Sequence, residues 1–164
     1  MGIKDNFSAE EWNDLLRAPM LVSYAIAGAS PSDQDGFIQE MSAVADAIVE
    51  GGQQAAKESL LDRVVADIMA NAEDERRGAT ENIPVSAIKA RALDNCRHVA
   101  SLLQTKASAE EAEAYKLWVL AVAERVAAAT KEGGFLGFGG TMVSESEVAT
   151  LNEIAAALGV RQQT

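Results

Sequence analysis

The sequence predicts an all-α fold in which residues 1–164 form a single domain of six or seven helices. A helix–loop–helix pair is repeated around a buried central helix. Three observations carry this. Apolar residues recur at three- and four-residue spacing along most of the chain. Serine and glutamate stand three apart at several points where such a pattern begins, the mark of a capped helix start. No run of β-branched residues alternates with polar ones, so no sheet is expected.

The elements follow in order. Ser8 and Glu11 form a capping box, with Phe7 placed to staple onto Trp12. That helix runs to Ala18, where Pro19 is expected to break or kink it, because proline has no N–H and clashes with the preceding turn. A second helix spans Met20 to about Ala29. After the turn Ser30-Pro-Ser-Asp-Gln-Asp-Gly36, Ser32 caps a helix with Phe37, Ile38, Met41, Val44, Ala45 and Ile48 on its buried face. Gly51-Gly52 loosens or ends it.

Lys57 to Ala72 is amphipathic through Leu60, Leu61, Val64, Val65, Ile68 and Met69. The charged stretch from Ala72 to Asn82 lacks a period and reads as a loop. Pro84 suits a first helical turn, and Ile88, Ala92, Leu93, Cys96, Val99, Leu102 and Leu103 then share a face. Ser108 and Glu111 cap the next helix. From Ala112 to Ala129 it is apolar on nearly every side, interrupted only by Lys116, Glu124 and Arg125. A helix of that kind is expected to be enclosed by others. Gly133-Gly134 stops it, and Ser144 with Glu147, stapled by Val143 and Val148, starts a last helix to Leu158.

Composition excludes several classes of function. The formal charge of −11 opposes nucleic acid, where Lys and Arg must neutralise phosphates, and equally an anionic membrane surface. One cysteine permits no internal disulfide. No secretory apolar stretch follows the N-terminus, and Asn6 breaks the myristoylation pattern that Gly2 would begin, so a cytoplasmic location is the default.

The glycine-rich run Glu132-Gly-Gly-Phe-Leu-Gly-Phe-Gly-Gly-Thr141 is the most unusual stretch. Gly134 and Gly139 have phosphate-loop spacing, but Gly140 stands where the lysine belongs and no strand precedes it. Phe135, Leu136 and Phe138 therefore have two readings: they fold back onto the core, or they offer a patch to a partner. Asp33, Asp35, Glu132, Glu145 and Glu147 lie at or beside helix N-termini and loops, where carboxylates serve capping and the macrodipole. Were the two loops side by side, the same groups would suit a hard divalent cation. Cys96 and His98 point about 200° apart on a helix and cannot work as a pair. Asp94 and His98 share a face and are expected to form a solvated pair.

Met20 to Ile48 and Val119 to Leu158 have the same layout, an apolar helix followed by a Ser-capped one. The second copy contains Val126-Ala-Ala-Ala-Thr-Lys-Glu-Gly-Gly-Phe135 and Ser144-Glu-Ser-Glu-Val-Ala-Thr-Leu-Asn-Glu-Ile-Ala-Ala-Ala-Leu-Gly159. It resembles the C-terminal part of TerB-like (tellurite-resistance) helical domains. The resemblance implies an all-α fold with a pseudo-symmetric core and an acidic metal-binding face. The sequence departs from the family at Lys131-Glu132-Gly133, where an Asp-Gly pair belongs, and in the inserted Leu-Gly-Phe-Gly-Gly.

The leading expectation is a non-enzymatic helical domain that acts by protein–protein contact or self-association, with Phe135, Leu136 and Phe138 as the contact and no cofactor. The alternative is a TerB-like stress-response domain that binds a divalent metal through Asp33, Asp35, Glu132 and Glu145.

Overall fold

The computed structural model describes residues 2–29, 34–78, 84–132 and 145–160. Among them a short 3-10 turn, Ile3–Asn6, precedes six helices and there is no strand. The helices are α1 (Ala9–Ala29), α2 (Gln34–Gln54), α3 (Leu60–Gly78), α4 (Val85–Lys106), α5 (Ala109–Glu132) and α6 (Glu145–Leu158), packed together in one domain.

The helix starts are built as their local chemistry requires. The Ser8 N–H donates to Glu11 at 2.7 Å, and the Glu11 N–H returns a bond to the Ser8 hydroxyl at 3.2 Å. Phe7 packs against Trp12 with ring centroids 5.8 Å apart. Ser108 accepts from the Glu111 N–H at 3.2 Å. Ser32, Val143 and Ser144 lie outside the described residues, and Val148 is exposed.

Pro19 does not end its helix. α1 continues through it to Ala29, correcting the expected break. A proline there has no N–H to give the carbonyl of Leu15, one turn back. That carbonyl is taken instead by the Tyr115 hydroxyl at 2.6 Å, across the core from α5. Ser23 adds a bond from its hydroxyl to the Pro19 carbonyl at 2.6 Å. Tyr115, Leu15 and Pro19 are all buried, so the replacement acceptor bond is made away from water.

Two helices share the centre. α1 and α5 each touch all the other helices, with α4 laid along α1, α2 along α5, α6 against α4 and α3 against α2. The core they enclose includes Leu15, Val22, Ile26, Val64, Val99, Leu103, Val119, Val126 and Ile154.

Gly51-Gly52 also fails to end a helix, since α2 runs on to Gln54. A side chain on Gly51 would run into the Trp118 indole, and one on Gly52 would lie 2.6 Å from Val65. The glycines therefore let α2 press closely onto α5 and α3. Gln53 and Gln54 carry the helix past them before the turn to α3, where Glu58 adopts a left-handed conformation at φ 65°. That turn is held by the Glu58 N–H on Asp62 at 2.8 Å and the Asp62 N–H on Ser59 at 3.3 Å.

The stretch expected as a loop from Ala72 is helical as far as Gly78. Alanine, glutamate and arginine favour a helix whether or not one face is apolar, so a missing period does not by itself mean a loop. Expected core positions also shift at the edges. Ile38, Ala45 and Met69 are exposed, while Val44, Ile48, Val65 and Ile68 are buried. Residue spacing locates a buried face but not how wide it is.

Candidate functional site

α5 is central but not enclosed, and this corrects the expectation from its composition. Its buried arc includes Tyr115, Trp118, Val119, Val122 and Val126. Ala114, Leu117, Ala121, Glu124, Arg125 and Ala128 form an exposed flank. Most apolar positions of that flank are alanines, whose methyl groups lose little by facing water and strongly favour the helix. Leu117 is the exception. It is 47% exposed, the one large apolar residue on an open face of this helix.

Beside Leu117 lies a half-open groove of about 570 Å³, formed by α2, the turn into α3, and α5. Small residues make its walls, with Ala47, Gly51 and Ala55 on one side and Ala114 and Ala121 on the other. Trp118 lies at its base, tilted on Tyr115 with centroids 5.7 Å apart. The Trp118 indole N–H is buried without an acceptor. Gly51 packs directly over that ring, which is why α2 can form the opposite wall.

The rim is charged. At one end Arg125 donates to both oxygens of Glu50, at 2.8 and 3.0 Å, tying α2 to α5 across the groove. Those hydrogen bonds, with the guanidinium charge, hold the Glu50 carboxyl below its usual range. At the other end stand Glu110 and Glu111. A second trough of about 700 Å³, between α4, α5 and the end of α6, is lined by Arg97, Glu113 and Lys116 among others. Arg97 is already engaged by Asp94 at 2.9 Å.

The residues singled out in the sequence fall as follows. Phe135, Leu136, Phe138 and Asp33 lie outside the described residues. Asp35 falls in the first turn of α2 and Glu132 ends α5, and their side chains are not described. Glu145 opens α6 and is exposed. Among the described residues no three His, Cys, Asp or Glu side chains come together as a metal site would need. The expected Asp94–His98 pair does not form. Asp94 turns to Arg97, and His98 reaches Asp14 of α1 at 3.2 Å. An arginine on the next turn is a stronger, bidentate-capable partner than an imidazole.

Cys96 points into the core and away from His98, and burial pushes its thiol up to about 12, so it is a thiol at neutral pH. Burial likewise raises the Tyr115 hydroxyl well above its ordinary value. Two carboxylates, Glu40 and Glu147, are 0% and 2% exposed. Both take part in interactions within the protein. Glu40 was legible in principle, since it shares a helical face with Val44, Ala47 and Gly51.

Comparison with models of known families, with curated proteins and with solved structures found no match. The fold and the groove define a helical domain with an open, small-walled apolar trough. No helix among the described residues is long and apolar enough to cross a membrane.

Proposed function

We propose that the protein is a non-enzymatic helical domain that works through protein–protein contact, with the α5 flank and its groove as the contact surface. The observation that carries this reading is Leu117, a large apolar side chain held in the open on the same helix whose other large side chains form the core. Apolar grooves between helices receive the apolar face of a partner helix. In sequence, α5 is followed by Phe135, Leu136 and Phe138.

The test is affinity capture of natural partners with the wild-type chain, Leu117→Glu and Ala121→Glu, with Ile38→Glu as a control on another exposed apolar site. Proteins retained by the wild type and the control but lost from both groove variants support the reading. An identical set of retained proteins in all four overturns it.

A further inference from the structure

From the shape and charge of the groove we infer that its occupant is a basic amphipathic helix, with a stripe of small and apolar residues flanked by Lys or Arg. This inference rests on the contact function proposed above and goes beyond it in naming the partner's chemistry.

Shape comes first. The groove is half-open, and alanine and glycine make up much of its lining beside Leu61, Leu117 and Trp118, so a helix backbone can approach it closely. Ala114, Leu117 and Ala121 recur at three- and four-residue spacing, the pattern that a second helix meets ridge into groove. Leu117 stands at the centre of that stripe, where contact energy concentrates.

Charge selects the partner. At one end of the rim stand Glu110 and Glu111, while at the other Glu50 and Arg125 offset each other as an ion pair, so the net charge of the rim is acidic. Glu113 and Glu124 extend the acidic border along the outer edge of the same flank. A second copy of this chain, at −11, would lay one acidic border along another. A helix bearing Lys or Arg beside its apolar stripe complements the surface along its length. Complementarity of this kind sets partner choice and encounter rate and weakens with salt.

The test uses two helix-locked synthetic peptides with the same Ala/Leu stripe, one flanked by lysines and the other by glutamates at the same positions. Binding is read by fluorescence anisotropy of the labelled peptides against the full chain. The lysine peptide is expected to bind saturably, at least about tenfold more tightly than the glutamate peptide, and to weaken in high salt. Leu117→Gln and Ala121→Gln, which disturb the apolar stripe without adding charge and are each checked for native circular dichroism, are expected to lose binding. Glu110→Gln is expected to weaken it a few-fold.

Equal binding of the two peptides, binding of neither, or binding unchanged in both groove variants overturns the inference. If natural partners depend on Leu117 while the lysine peptide fails to bind, the occupant's chemistry is wrong and the contact function stands. If no partner depends on Leu117, the contact function itself falls.

Discussion

Replacing Tyr115 by phenylalanine isolates the bond that allows a proline inside α1. The ring stays and no cavity opens, so the change removes only the hydroxyl that donates to Leu15 at 2.6 Å. Pro19 cannot supply the missing donor, so a buried carbonyl is left without a partner. Such a group destabilises by about 1–3 kcal/mol. In a domain of this size a loss of about 2 kcal/mol lowers the melting temperature by roughly 4–8 °C. The decisive comparison is made in a Pro19→Ala background. Alanine restores an N–H one turn after Leu15, so the carbonyl is satisfied within the helix and Tyr115→Phe should then cost well under half as much. Urea unfolding of the four proteins gives the coupling directly. A coupling of about 1 kcal/mol or more is expected, and strict additivity, within about 0.5 kcal/mol, would refute the reasoning.

Other predictions test neighbouring parts of the account. Gly51→Ala should destabilise by about 1–3 kcal/mol by overpacking against Trp118, outweighing the gain of up to about 1 kcal/mol in helix propensity, as chemical denaturation would show. Leu117→Glu, in contrast, should leave stability within about 0.5 kcal/mol by the same assay, because the side chain already faces water. Cys96 should resist a thiol reagent in the native state and react fully once unfolded, because its thiol is buried and pushed up to about 12. Stability should also fall in acid. Asp67 is raised by burial but more than offset by hydrogen bonds from Lys4 and Trp12 and by charge, and Glu11 is lowered chiefly by its bond to Lys106. With folded values below unfolded ones, their contribution is present above the ordinary carboxylate range near pH 4 and disappears as pH drops through the depressed values. Melting temperatures that stay flat between pH 5 and pH 2 would contradict this.

The helix starts were legible because their causes are local. Ser8 with Glu11 and Ser108 with Glu111 need only three residues of sequence to be recognised. Continuity through Pro19 was not legible, because the compensating donor, Tyr115, comes from another helix. The same holds for Gly51, which reads as a helix breaker until Trp118 is seen packed on it. The charged end of α3 was misread because it lacks a stripe, although its residues favour a helix without one. On α5, alanine hid the open flank, since a methyl group suits either core or surface and leaves the pattern apolar all round. Hence the groove could not be anticipated: half of its wall belongs to α2, and nothing in either helix alone reveals the space between them. His98 was assigned the nearest carboxylate in sequence, whereas the fold offered it Asp14 instead.

The most direct test of the contact surface is to replace Leu117 by a photo-crosslinking amino acid in the cell, with Met69 and Val148, also exposed, replaced in parallel. Discrete protein adducts formed at position 117 and absent at the other two are the predicted result. Adducts absent at 117, or the same at all three positions, would contradict it.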